Sequence, residues 1–403
     1  MQHIGLIILI IVLIGVFGVG MAYAFDMDEI EIHGFTSTGY MKSDHNNYLV
    51  PSESGSFEFT EAGLSVSSKL TDNFRAGMQL FGRDLGDIGN NNVKIDWAFL
   101  DYHRTEVVGA RFGKIKLPVN LYNDIRDYDM LRTSILLPQG GYNENHRETS
   151  ISYQGAGLYG NLPLYAAGRL DYDAFVGTAN IPVDGGIAKT FSGRGLTLTA
   201  GTIDYLAGGR LKWYTPLKGV MLGGSAMQSS LWYEADANAA PMRITVDVPE
   251  VWSYSGFAEF NLGDLVVAAE YFRKKFDFTI HWEVLDARIP TPAPEDDSTD
   301  NESYYALIAY RFTDWFELGT YYSVFYADAN DRDGKELVEL GYPNYKAWQK
   351  DLALSTRFDF TDFWIVKLEA HLMDGVGLCS VVDNPDGFDR HWTLFAIKTT
   401  FSF

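Results

Sequence analysis

Apolar and polar positions alternate through most of the chain from residue 30 to its end. In residues 74–80 the apolar side chains share one parity, whereas Arg75 and Gln79 lie on the other. A period of two places successive side chains on opposite faces of a β-strand. Residues 364–372 repeat the pattern. Strands with one apolar and one polar face are typical of a wall between lipid and water.

Short turns alternate with long polar connections along this pattern. Residues 70–74, 312–316 and 360–364 each contain a Thr-Asp pair flanked by apolar or aromatic residues. Asp and Thr suit tight turns because their side chains can hydrogen-bond to the nearby backbone. The alternation of short and long links therefore predicts an all-β, closed antiparallel transmembrane barrel with turns at one end and loops at the other.

The spacing of these links predicts sixteen strands. We expect them at residues 30–41, 56–70, 73–84, 92–104, 106–116, 147–160, 164–177, 205–216, 219–234, 250–262, 264–282, 302–313, 315–327, 347–360, 363–374 and 388–403. Residues 178–204, rich in Gly and Thr, could hide one more hairpin, so eighteen strands is the alternative. The even count puts both mature termini and every short turn on the periplasmic side. The interior of such a barrel is wide enough to hold water.

The first 24 residues differ from everything that follows. Residues 4–20 are almost wholly apolar, and Ala22-Tyr23-Ala24 has the small-x-small pattern of a signal-peptidase site. We predict a cleaved signal peptide over residues 1–24 and a barrel over residues 25–403. An uncleaved membrane anchor is the alternative, because the apolar stretch is long and no Lys or Arg precedes it.

Composition narrows the class of function. The net charge of −21 lies entirely outside the leader, and a polyanion partner needs a basic surface, so nucleic acid is not an expected partner. The aromatic share of 15% suits a barrel girdled by aromatic side chains, although a secreted β-sandwich would also fit it. Cys379 is the single cysteine, so a disulfide framework, a zinc site and a c-type haem motif are all excluded, and no cofactor is predicted.

The last strand carries a distinctive ending. Phe395, Ile397, Phe401 and Phe403 share one parity, with polar residues between most of them. A terminal Phe on an alternating strand resembles the C-terminal signature by which bacterial outer-membrane proteins are recognised for assembly. The resemblance implies that Phe403 is an assembly signal and that the barrel-assembly machinery is a partner.

The connection at residues 117–146 is too apolar for a freely solvated loop. Here the chain resembles the diffusion porins, general or substrate-selective, of the Gram-negative outer membrane. The resemblance is closest over residues 34–40, 111–139 and 155–162. It implies that this third outer loop folds into the lumen, that the protein forms a homotrimer, and that outer-membrane lipid and lipopolysaccharide surround it.

The resemblance also implies a pore constriction formed by loop acids opposite basic wall residues. These candidates are Asp124, Asp127 and Asp129 in the loop and Arg75, Arg111, Arg357 and Lys367 in the wall. Opposed charges in a narrow pore with low-dielectric walls set a field that selects ions. Arg126 and Arg132 interrupt the acidic pattern, and they could instead pair with the acids and pin the loop. The sign of ion selectivity therefore stays open.

Acidic residues also crowd two presumed outer loops, at residues 295–300 and 328–333. They could form a cation-attracting vestibule or bind divalent ions that bridge to lipopolysaccharide, or they could simply keep a solvated loop soluble. Residues 331–334 resemble part of a calcium loop but lack its remaining ligands, so no metal site is predicted.

The predicted function is a water-filled channel for passive diffusion of ions and small hydrophilic solutes. Two alternatives are a barrel sleeve around a multihaem cytochrome, forming an electron conduit, and an outer-membrane hydrolase. A hydrolase needs Ser, His and an acid together. Neither His371 nor His391 has a catalytic Ser motif beside it, so no catalytic residue and no enzymatic activity are expected.

Overall fold

The computed structural model describes residues 30–286, 288 and 290–403. Within this part, sixteen antiparallel strands close into one barrel, which confirms the predicted fold class and strand number. No helix among these residues has the length and apolar character needed to cross a bilayer. The predicted signal peptide, residues 1–24, lies outside the described residues.

Each strand pairs with its neighbours in chain order. The strands are β1 (Ile30–Ser43), β2 (Phe59–Lys69), β3 (Phe74–Leu85), β4 (Lys94–Thr105), β5 (Val108–Lys116), β6 (Ser152–Pro163), β7 (Arg169–Asn180), β8 (Leu196–Tyr214), β9 (Val220–Ala237), β10 (Met242–Leu262), β11 (Leu265–Val284), β12 (Glu295–Thr313), β13 (Phe316–Tyr326), β14 (Trp348–Thr361), β15 (Trp364–Gly375) and β16 (His391–Ser402). Short helices lie in the outer loops, namely α1 (Arg147–Ser150), α2 (Gly186–Ser192) and α3 (Lys335–Glu339).

The barrel closes where β1 meets β16. Phe35 to Ser43 pair in register with Ser402 to Leu394. Beyond the last ladder pair, Gly34 and Phe403 exchange two backbone hydrogen bonds of 3.0 Å. Closure leaves no strand edge, so the backbone polar groups of the wall are paired without water, as hydrocarbon requires.

The two faces of the wall differ as the alternation predicted. In β16, Lys398 and Thr400 are buried and point into the lumen, whereas Phe395 and Phe401 are exposed on the outside. The exterior is apolar because lipid solvates it, and the interior tolerates charge because partners and water are available there.

Several strands are longer at the outer end than the sequence predicted. Residues 178–204 form the end of β7, α2 and the start of β8, so the extra hairpin of an eighteen-stranded barrel is wrong. Residues 295–300 belong to β12 and pair with residues 275–280 of β11, so their assignment to a loop is also wrong. Alternation disappears above the lipid, because there neither face needs to be apolar.

A second loop also turns inward at the outer end. Tyr48, Leu49 and Val50, between β1 and β2, are almost fully buried. They share one apolar cluster with Ile135 of the long loop and with Trp392 of the wall. Part of the lumen beside β16 is therefore filled by packed apolar side chains.

Candidate functional site

The segment of residues 117–146 lies inside the barrel. It contacts lumen-facing side chains of every strand from β8 to β16, which is nine of the sixteen strands. The wall residues that contact it include Arg210, Ser225, Glu259, Glu270, Tyr305, Glu317, Arg357, Lys367 and Thr400. Because these strands surround more than half of the lumen, the segment extends across it. We call residues 117–146 the lumen loop.

Asp129 attaches the lumen loop to β15 and β16. Its carboxylate lies 2.9 Å from the ammonium of Lys367, and it accepts a 2.6 Å hydrogen bond from the hydroxyl of Thr400. Lys398 is a second cation, 3.8 Å away. Burial opposes ionisation of Asp129, but the charges of Lys367 and Lys398 outweigh it and hold its pKa well below the usual range. The acid is therefore an ionised anchor.

Asp127 attaches the same loop to a second part of the wall, at β4 and β5, which β1, β2 and β3 separate from β15 and β16. Its carboxylate accepts a 2.8 Å hydrogen bond from Arg147 and lies 3.4 Å from Lys116 of β5. Arg147 also makes two bonds, of 3.1 and 3.0 Å, to Asp96 of β4. Burial opposes ionisation, but Arg147 and Lys116 keep the pKa of Asp127 well below the usual range.

Asp124 forms a third anchor through a residue that the sequence did not single out. Arg210 of β8 donates two hydrogen bonds to its carboxylate, at 3.1 and 3.0 Å. The same guanidinium lies 3.0 Å from Asp173 of β7. Such a planar fork fixes both position and orientation. Arg210 is buried on the lumen face. Its place in the alternating pattern of β8 was therefore the one feature of the sequence that could have identified it.

The two loop arginines hold the loop's own conformation. Arg126 donates to the Glu144 carboxylate at 2.8 Å and to the backbone carbonyl of Tyr142 at 2.9 Å. Arg132 donates to backbone carbonyls of the loop, including that of Ile135 at 3.1 Å, and lies 3.6 Å from Asp129. In this structure both side chains bond mainly within the loop.

Of the four wall bases predicted to face the loop acids, two reach the loop. Lys367 pairs with Asp129, and Arg357 donates to the backbone carbonyl of Met130 at 2.6 Å. These contacts are direct, so acids and bases do not face each other across water as predicted.

Arg111 and Arg75 lie on the lumen face but pair elsewhere, so their placement at the constriction is corrected. Arg111 donates to Asp101 of the neighbouring strand at 3.0 Å. Arg75 donates at 2.7 Å to Glu31 near the periplasmic turns, and both of those side chains are half exposed. Alternation identifies the face of a side chain but not its depth along the barrel axis.

Two buried wall carboxylates hold the loop through its backbone and were missed by the sequence analysis. Glu369 accepts from the backbone N–H groups of Ile135 at 2.7 Å and Leu136 at 2.9 Å. Glu270 accepts from the N–H of Leu121 at 2.9 Å and from the hydroxyl of Tyr142 at 2.6 Å. An acid at a lumen-facing position was the only sequence signal for either residue.

Comparisons with known proteins agree with this architecture. No protein-family model and no curated protein matches the chain. Among solved structures, a loop-deletion mutant of OmpT, an outer-membrane protein of Vibrio cholerae, is similar with a TM-score of 0.56 and 12% identity over 93% of this chain and 99% of that one. The outer-membrane channel DcaP of Acinetobacter baumannii gives 0.55 and 10%, over 93% and 97% of the two chains. OmpF of Salmonella typhi, in complex with daunomycin, gives 0.55 and 11%, over 94% and 99%.

At these identities the likeness concerns the fold. The matches cover nearly the whole length of each chain, and OmpT and DcaP are outer-membrane proteins. The apolar exterior and closed ladder described above meet the requirements of that location. The chain therefore has a closed, sixteen-stranded β-barrel fold that is similar to the fold of bacterial outer-membrane porins.

Proposed function

We propose that the protein is a channel through which ions and small hydrophilic solutes diffuse passively across the outer membrane. The observation that carries this proposal is the lumen loop, a charged and hydrogen-bonded segment held across a closed barrel. Buried ion pairs contribute little net stability, so a loop that only sealed and stabilised the barrel could pack through apolar side chains instead. Charged walls and a narrowed lumen are the elements that select solutes in channels.

The charges around the loop balance locally. Asp124, Asp127 and Asp129 each have one or more cations within 4 Å. A balanced set produces a weaker field along the pore than opposed free charges would. We therefore infer that the width of the remaining passage selects solutes more strongly than charge does at this level.

Conductance measurements test the channel directly. Folded protein inserted into planar bilayers is expected to give stepwise, ohmic current increments, small for a sixteen-stranded barrel because the loop contacts so much of the wall. Protein that is folded by spectroscopic criteria but gives no current would contradict the proposal.

The two alternative functions receive less support. A sleeve around a multihaem cytochrome needs a lumen that admits a second protein, whereas the lumen loop occupies that space. A hydrolase needs a Ser hydroxyl on a His nitrogen, but Ser355 donates to Glu369 at 2.6 Å, and the two ring nitrogens of His371 face carboxylates at 3.0 Å. We propose that the protein has no catalytic activity, and esterase or protease activity in detergent would contradict this.

We also propose that the protein assembles as a homotrimer in contact with lipid and lipopolysaccharide, after delivery to the barrel-assembly machinery through Phe403. One similar structure is described as a trimer form of OmpT, with a TM-score of 0.53 and 12% identity over 93% of this chain and 99% of that one. Light scattering of the purified protein in detergent measures the oligomer directly, and a monomeric mass would contradict the trimer.

A further inference from the structure

A cavity of about 450 Å³ lies inside the barrel, between the lumen loop and the wall formed by β9 to β13. Its lining includes Lys274, four residues beyond Glu270 in the direction of the outer loops. At about 3.3 Å per residue, this places the backbone of the lysine roughly 13 Å farther along the strand than that of Glu270, which holds the loop. A solute entering from outside would therefore meet Lys274 before it reaches the level at which Glu270 holds the loop.

Lys274 differs from the paired lysines of the lumen. Lys116, Lys367 and Lys398 each lie within 4 Å of a carboxylate. Among the described residues no acid lies within that distance of Lys274, and its ammonium has one close aromatic neighbour, the ring of Phe276, at 5.3 Å. Its side chain is exposed within the cavity. A protein with a net charge of −21 thus presents an uncompensated cation at this position.

The rest of the lining contains neutral donors, apolar rings and two charged side chains that are already paired, Arg273 with Asp300 at 2.7 Å and Glu302 with Arg332 at 2.6 Å. Asn143, His146 and Asn301 supply groups that can donate hydrogen bonds, and Phe272 and Phe191 supply flat apolar surface. Ligand sites of this kind are mostly apolar with a few convergent polar groups, and their volumes run from about 300 to 1,000 Å³. The lining therefore suits a ligand with one anionic end and one ring.

Resting on the proposed channel function, we propose that this cavity is a binding site for small aromatic carboxylates on their way through the barrel. The carboxylate pairs with the ammonium of Lys274, and the ring packs between Phe272 and the apolar side chains opposite. Replacing Lys274 with a neutral residue would remove a charged hydrogen bond to the carboxylate. This loss corresponds to an affinity for the ligand that is lower by about tenfold or more.

Current block by benzoate tests this proposal. Benzoate added on the outer side is expected to reduce the single-channel current in a saturable way, whereas benzylammonium, with the same ring and the opposite charge, is not. Lys274→Gln is expected to weaken the block about tenfold. The matched control is Lys275→Gln, because the neighbouring side chain points to the other face of β11.

The outcomes separate the ligand site from the channel itself. Equal block by acetate and benzoate, or undiminished block in Lys274→Gln, would overturn the proposed site. If the protein conducts no current, titration calorimetry with benzoate on folded protein in detergent measures binding independently, so a failed channel and a failed site give different results. Phe272→Leu should weaken binding of benzoate but not that of acetate, and an equal loss for both would count against the role of the ring.

Discussion

Asp129 of the lumen loop and Lys367 of β15 form a 2.9 Å ion pair whose two side chains are only 2% and 0% exposed. The ammonium also donates to the backbone carbonyl of Asp129 at 2.6 Å and to that of Ser134 at 3.2 Å. A single lysine thus satisfies three acceptors of the loop. Breaking one member of a buried pair is costly, because the other is left as an uncompensated charge.

Replacing this lysine should loosen the loop and destabilise the barrel. We expect Lys367→Met to lower the free energy of unfolding by about 3–5 kcal/mol, as measured by denaturant titration in detergent. The control is Arg75→Met, whose half-exposed pair with Glu31 should contribute about 1 kcal/mol or less. Equal effects of the two variants would contradict the anchoring role of Asp129.

Removing the loop should widen the passage. Deletion of residues 120–143, joined by a short Gly-Ser linker, is expected to increase the single-channel conductance several-fold, because this segment contacts the wall from β8 to β16. Deletion of residues 336–341, most of which are exposed outside the barrel, is the control and should leave conductance unchanged. An unchanged current after the first deletion would place the narrowest point elsewhere.

Acid should break the ion pair between Glu144 and Arg126 of the lumen loop within a defined pH range. Burial opposes ionisation of Glu144, but Arg126 and Arg83 lower its pKa from 4.5 to about 2. Because the folded pKa is the lower one, this stabilisation is complete above about pH 4.5 and is lost as the pH falls towards 2.

Glu144→Gln tests this window. The thermal unfolding midpoint of the wild type should fall more steeply between pH 4.5 and 2 than that of the variant. The two proteins should show parallel pH profiles between pH 5 and 8. A wild-type profile that runs parallel to that of the variant below pH 4.5 would rule out this contribution.

Closure of the barrel should depend on the absence of a side chain at Gly34. A Cβ atom there would lie 2.5 Å from the ring of Phe403. We expect Gly34→Val to displace that ring and to reduce the folded fraction, measured as the heat-modifiable band on a gel. Gly256→Val is the matched control in β10, since nothing lies within 4 Å of a Cβ atom at that position. Similar folded fractions for both variants would argue against this contact.

Local patterns in the sequence determined the class and size of the barrel. Alternation between lipid-facing and lumen-facing side chains is a property of each strand alone, and tight turns use residues whose side chains bond to the nearby backbone. The count of sixteen strands and the outward parity of Phe395 and Phe401 follow from these local rules.

Tertiary structure alone decided which charges meet. Arg75 and Lys367 occupy equivalent lumen-facing parities, yet one lies near the periplasmic turns and the other holds Asp129. Arg210 and Glu369 bind the loop, although their lumen-facing positions are shared with many residues that do not. The physical reason is that the position of a side chain along the barrel axis and around its circumference depends on the register of all sixteen strands together. Which of these side chains meet the loop depends also on the path of the loop. Alternation carries no information about either.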